Sequence, residues 1–206
     1  MRKVFIDGGA NNGQSTKAFL KEWPDSNEFE IFMFEPNSKP PLLKGKKTKL
    51  IRKAIWIYDG EITFFEKHPN SQGNTLLKEK VEKDKRTYKE KSVECVSLSN
   101  WIKQNFNKKD TIILKLDIEG AEYEVIKDLY KNEIFKFIDV FFCEIHGLKC
   151  GKGIDETKDL LKLLENANIK PYVWDSEIFK YAEFKNNYYT NELIEKEYKK
   201  WKKRTK

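Results

Sequence analysis

Hydrophobic and polar positions along the chain follow two alternating periods. Short apolar runs rich in β-branched and aromatic residues occur over 3–6, 30–34, 49–56, 93–96, 111–116, 137–144 and 170–174, and each predicts a strand. Between them, apolar residues spaced three and four apart predict helices over 14–22, 98–105, 120–130 and 155–166. Repeated strand–helix units of this kind predict an α/β fold with a mostly parallel central sheet and helices on both faces. A Pro-rich turn is expected over 36–41. Asp59-Gly60, followed by the alternating Glu61-Ile62-Thr63-Phe64-Phe65, predicts a hairpin. Residues 67–75 read as a polar loop and 78–91 as an exposed charged insertion. Ile194, Tyr198 and Trp201 share one helical face, so 191–206 is expected to form a basic terminal helix docked with its lysines outward. With no internal repeat and no linker, 1–206 is expected to be a single domain.

The strand ends carry the chemistry. Val4-Phe5-Ile6 runs into Asp7 and a turn, Gly8-Gly9-Ala10-Asn11-Asn12-Gly13, before a helix opens. Glycines there let backbone approach a ligand closely. The spacing is neither the dinucleotide G-x-G-x-x-G nor a P-loop, and no lysine follows Gly13, which points to a nucleoside without a pyrophosphate. The next strand ends in Glu35-Pro36-Asn37, where a carboxylate can accept from both hydroxyls of a ribose. A third strand, Ile112-Ile113-Leu114-Lys115-Leu116, breaks into Asp117-Ile118-Glu119-Gly120-Ala121-Glu122. All three signatures sit at the carboxyl ends of predicted parallel strands, where open sheets bind ligands.

Residues 5–13, Phe34-Glu35-Pro36-Asn37 and Lys115-Leu116-Asp117-Ile118-Glu119-Gly120-Ala121-Glu122 resemble the successive motifs of FkbM-type methyltransferases, which are S-adenosylmethionine-dependent O-methyltransferases of the Rossmann-like class. Ala54-Ile55-Trp56 with Asp59-Gly60-Glu61, residues 96–102, and Glu144-Ile145-His146 fit the family's linking segments, so the likeness spans roughly Met1 to His146. The resemblance implies methyl transfer to a hydroxyl of a sugar, glycan or other small molecule. It places Gly9, Ala10 and Gly13 against the cofactor, with Asn11 and Ser15 at its methionine end. Asp7 would order the turn and face the methionine ammonium through a network, Glu35 would hold the ribose, and Ala54 and Ile55 would flank the adenine. Methyltransferases of this class carry helices before the first strand, whereas here that strand starts within a few residues of Met1. The lid is therefore expected from a terminal helix, the insertion or a partner subunit, which makes a homodimer an expectation too.

A sugar hydroxyl is a poor nucleophile until deprotonated, so a positioned base adds rate. Asp117 is one candidate. Glu144 and His146 have the same side-chain parity on their strand and face one crevice, and His146 has the ordinary pKa for proton transfer near neutrality. Ser71, Asn74 and Thr75 are candidate substrate contacts; His68 is expected at the surface. Glu119 and Glu122 complement a helix dipole, and Lys115 is expected to pair with a carboxylate. Asp117, Glu144 and His146 together would suit a divalent cation orienting a diol, a reading that the residues do not favour over metal-free chemistry. A zinc site from Cys143, His146 and Cys150 is weaker still, lacking standard spacing and a fourth ligand.

Composition narrows the alternatives. The 206 residues are 35% charged but 14% aromatic, which argues against disorder. No apolar stretch is long enough to span a bilayer. Cys95, Cys143 and Cys150, an odd number without paired spacing, suggest reduced thiols and a cytoplasmic protein. The net charge of +7 is concentrated in 78–91 and 195–206, leaving the rest near neutral. A nucleic-acid groove would place that charge on the folded body among aromatics, so RNA methylation stands as the alternative and not the leading reading. A cofactor-binding module without turnover is the other.

Overall fold

The computed structural model describes residues 1–37, 47–68, 71–84, 86–177 and 179–204. Part of the Pro-rich turn expected over 36–41 and the side chain of Trp201 lie outside the described residues. Six strands form one all-parallel sheet: β1 (Lys3–Gly8), β2 (Glu30–Phe34), β3 (Thr48–Ile51), β7 (Thr111–Leu116), β8 (Val140–Cys143) and β9 (Pro171–Val173), in the order β3-β2-β1-β7-β8-β9. The chain winds outward from β1 to β3 on one side, then returns to β7 and winds outward to β9 on the other. β1 and β7 therefore flank the point where the winding reverses, with Asp7 opposite Lys115 in register. Crevices at such points are where open α/β sheets bind ligands.

Period-two alternation explains the layers. Val4 and Ile6 of β1 face a core built with α3 (Leu98–Asn105), α4 (Glu122–Lys131) and α5 (Ile154–Asn166), through Ile102, Ile126, Leu129 and Leu160. Phe5, Ile31, Met33 and Phe142 face the other way, against α1 (Gln14–Glu22) and the segment after β9. There Phe5 stacks on Phe19 of α1 with ring centroids 4.0 Å apart, and Trp174, Phe179 and Phe184 surround Phe142. The protein is thus α/β and Rossmann-like, with helices on both faces. The terminal helix α6 (Asn191–Arg204) buries Ile194 and is tied to α5 by a Lys158–Glu195 ion pair at 2.6 Å. Among the described residues no helix is long and apolar enough to cross a membrane.

Three expectations are corrected. The run 49–56 is two strands: β3 stays in the main sheet, while β4 (Ala54–Trp56) joins a second sheet, and Arg52-Lys53 breaks the apolar run between them. The Asp59-Gly60 hairpin does not form. β5 (Gly60–Glu66) pairs antiparallel with β6 (Lys89–Ser97), and β6 lies between β4 and β5. The 78–91 segment is not a loop, because it contains α2 (Lys78–Lys83) and the start of β6; most of its described residues are exposed as expected, but Lys80 is buried.

Candidate active site

The carboxyl ends of the main strands open into a cleft of about 960 Å³. At its floor the chain leaves β1 through Gly9, whose φ is +77° and whose missing Cβ would sit 1.9 Å from the Asp117 carbonyl oxygen. Only glycine fits between β1 and β7 at this point. The amides of Gly9 and Ala10 both donate to Phe34 O, at 3.1 and 3.0 Å, tying the turn to β2. Glu35, at the tip of β2, accepts from the Asn11 and Asn37 amides at 2.9 and 2.8 Å and is held facing the cleft. Phe34, Ala54 and Ile55 add an apolar wall beside it. Ser15 lines the far side, where its hydroxyl accepts from the Trp174 indole N–H at 3.0 Å.

Beneath the floor lies a buried ion cluster. Asp7 is fully buried; one oxygen accepts from Thr16 at 2.7 Å and the other lies 3.1 Å from Lys115 Nζ. Lys115, also fully buried, donates to the carbonyls of Gly8 and Gly9 at 3.2 and 3.1 Å and lies 3.5 Å from Asp117. Burial opposes charge on this amine, but Asp7 and then Asp117 outweigh it and hold its pKa above the ordinary lysine value. Burial also pushes the Asp117 carboxyl above its ordinary range, against the pull of Lys115 and His146. Asp117 nevertheless keeps 27% of its side chain exposed, toward the cleft.

His146 lies behind Asp117 among four carboxylates. Its Nδ1 is 3.0 Å from Glu122; its Nε2 is 3.2 Å from Glu144, 3.6 Å from Glu119 and 3.8 Å from Asp117. Ionised carboxylates only accept, so a ring with acceptors at both nitrogens carries both protons. Burial works against that charge, yet Glu122 and Glu144 raise the His146 pKa well above its usual value. Burial would lift Glu144 as well, but His146 and Lys149 bring it down to about 2. The expected histidine base sits behind Asp117, buried and off the cleft lining, with a carboxylate at each ring nitrogen that favours its charged form, whereas Asp117 opens to the cleft. Glu122 does more than meet a helix dipole, since its buried oxygens accept from the amides of Ile118 and Gly120 at 2.7 and 2.8 Å and lock the turn after β7. Metal-ligand atoms of Asp117, Glu122 and His146 lie within 4.8 Å of one another, but these bonds already engage both Glu122 oxygens.

Of the residues singled out from the sequence, the cleft brings together Gly9, Ala10, Asn11, Ser15 and Glu35 with Ala54 and Ile55. It also gathers Asp117, Glu144, Ser71, Asn74 and Thr75. Asp7, Gly13 and His146 do not line it: Asp7 and His146 are buried behind it, and Gly13 caps α1 in the left-handed region, at φ +81°. Ser71 and Asn74 shape their own loop, and Thr75 ties it to the turn after β7. Ser71 accepts from Gly73, Asn74 from Lys67, and Thr75 donates to Glu119 O at 2.7 Å. His68 is exposed and on the cleft rim. Sequence reasoning gave Glu122 only a helix-dipole role and did not single out Trp174 or Lys80, whose ammonium pairs with Glu119. A lysine at a buried position of α2 has no local signal apart from the weak periodicity of Leu77 and Val81.

A parallel sheet with a cleft at its point of reversal, a carboxylate at the second strand's tip and an acid at the seventh's defines a Rossmann-like protein built around one ligand crevice. Residues 7–171 match the methyltransferase FkbM domain, and the chain belongs to that family. It is a methyltransferase, and membership implies S-adenosylmethionine as methyl donor in general terms. Comparison with curated proteins and with solved structures gives no match.

Proposed function

We propose that the protein methylates a hydroxyl of a sugar, glycan or other small molecule, with Asp117 as the base. The observation that carries this reading is the position of Asp117, whose side chain opens to the cleft while its backbone touches the cofactor turn at Gly9. The residues present fit the cofactor: a bare backbone turn, a buried carboxylate beside it and an apolar wall suit a nucleoside. Glu35 would accept from the ribose hydroxyls, Ala54 and Ile55 would cover the adenine, and Asn11 and Ser15 would bind the methionine end. S-adenosylmethionine, when bound, supplies an electrophilic methyl group.

Asp117 then takes the proton of the acceptor hydroxyl, and its raised pKa makes it a better base than an ordinary aspartate. Glu144 stays ionised and accepts a hydrogen bond from a neighbouring hydroxyl. Ser71 and Asn74, on the rim, contact the acceptor. Holding nucleophile and methyl close and aligned is the larger share of such catalysis, on the order of several kcal/mol. Supporting the reading against anionic acceptors, three of the cations lining the cleft, Lys80, Arg86 and Lys149, are each paired with a carboxylate, Glu119, Asp84 and Glu144. The test is methyl transfer from labelled S-adenosylmethionine to a panel of sugars and glycans, with the Asp117→Asn variant alongside. Turnover lost with cofactor affinity largely kept supports the assignment; turnover retained sinks Asp117 as base.

A further inference from the structure

We propose that Lys115 is a positioning residue whose ammonium couples the cofactor turn to the Asp117 carboxylate, so that one buried charge sets both halves of the site. This rests on the reading of the cleft given above and goes beyond it by naming how its halves communicate. The geometry is specific. Lys115 Nζ has four oxygens around it, and they belong to two separate strands: Asp7, Gly8 and Gly9 at the end of β1, and Asp117 just past β7. Two are turn carbonyls at 3.2 and 3.1 Å, so the ammonium fixes the backbone conformation that forms the cleft floor. The Asp7 carboxylate alone would be enough to neutralise the lysine. The ammonium's remaining donors go to the two turn carbonyls and Asp117, so the charge that neutralises Asp7 also joins the turn to Asp117.

Charge, and not only shape, is required. Asp117 is faced by Lys115 and by His146, with Glu119 and Glu144 acting in the opposite sense. Lys115 is itself surrounded by Asp7 and Asp117, and its field also reaches Glu144 and Cys143. Removing the ammonium leaves His146 as the only cation in contact with Asp117 among the described residues, so the carboxyl titrates higher and its orientation is freed. The same loss takes the ammonium from the Gly9 carbonyl and leaves the Gly8 carbonyl with the Asp117 amide, which loosens the turn that receives the cofactor.

Lys115→Met alone would strand the Asp7 charge in the interior, which is costly enough to unfold a protein. The informative comparison is therefore the double variant Asp7→Asn/Lys115→Met against Asp7→Asn. Two readouts need no turnover: the affinity for S-adenosylhomocysteine by titration calorimetry, and the Asp117 carboxyl titration followed by ¹³C NMR. The double variant is expected to bind about tenfold more weakly than the single one, and its Asp117 midpoint to lie about one pH unit higher. Equal affinity or an unmoved midpoint overturns the coupling. Asp117→Asn turnover, measured separately, tells a failure of the proposed base from a failure of this inference. Should the double variant not fold, the unmodified protein decides: the Lys115 ¹⁵Nζ resonance shifts when S-adenosylhomocysteine is added, and an unchanged resonance overturns the proposal.

Discussion

At His146 both ring nitrogens point at carboxylates, and much of the site's behaviour follows from that one ring. Its pKa in the folded protein lies well above that of an exposed histidine, so its charged form favours the native state. The stability it contributes is fully present below the unfolded value near pH ~6.5 and is lost as pH rises through the folded value. His146→Gln should destabilise the protein by about 3 kcal/mol or more at pH 6, since Glu122 is left buried beside a neutral partner. The gap between wild type and variant should narrow on the alkaline side. Urea denaturation across pH checks both statements, and a pH-independent gap would show that the ring titrates alike in the folded and unfolded chains. Glu35 supports a second expectation at this scale. Its two oxygens are aimed by the amides of Asn11 and Asn37, so Glu35→Ala should weaken S-adenosylmethionine binding about tenfold or more by calorimetry. Unchanged affinity would place the ribose elsewhere.

Between residue and molecule stand the strand–turn–helix units, and the first depends on Gly9. An alanine there must adopt a left-handed φ and push its Cβ against the Asp117 carbonyl. The backbone conformation alone costs about 1–3 kcal/mol, and the clash forces β1 and β7 apart at the cleft floor. Gly9→Ala is thus expected to lower the melting temperature by several degrees and to abolish cofactor binding. A variant with native stability and affinity would remove the turn from the site. These units were readable from the chain because each is local: Val4-Phe5-Ile6 breaking at Asp7, and Leu114-Lys115-Leu116 breaking at Asp117, announce a strand end wherever they lie. The second sheet was not readable. Whether β5 pairs with β4 or β6 depends on which distant strand covers Ile55 and Phe64, and the Asp59-Gly60 signal speaks only of a local turn. The cage around His146 was half legible: Asp117, Glu144 and His146 were grouped from the chain, but Glu119 and Glu122 join them only once the turn after β7 meets the end of β8. From the chain alone, Glu119 and Glu122 had a sufficient local explanation in the helix dipole.

Across the whole molecule, positive charge falls in two groups, one lining the cleft through Lys67, Lys80, Arg86 and Lys149 and one on α6. The cleft floor joins Asp117, Glu119 and Glu144 to Lys115, Lys80 and Lys149 in near balance, while Lys196, Lys199, Lys200 and Lys203 project from α6 on the surface. α6 buries Ile194 and is held to α5 through Glu195, both upstream of the last eight residues. Two acceptor classes then make opposite demands on this arrangement. An RNA acceptor would need the lysines of α6 for phosphate contacts, and with six or more such contacts its affinity would fall by about 10³-fold or more between 50 and 200 mM salt. A neutral sugar or glycan docks without releasing counterions, so its turnover is nearly flat over the same range. Removing Lys199–Lys206 provides the matching structural test, because the deletion spares the α5 contact while stripping most of the basic face. Methylation of a neutral acceptor should then continue with kcat/KM within about twofold of wild type, a change of less than ~0.5 kcal/mol. A collapse of activity that tracks both salt and the deletion would transfer the assignment to a nucleic-acid acceptor.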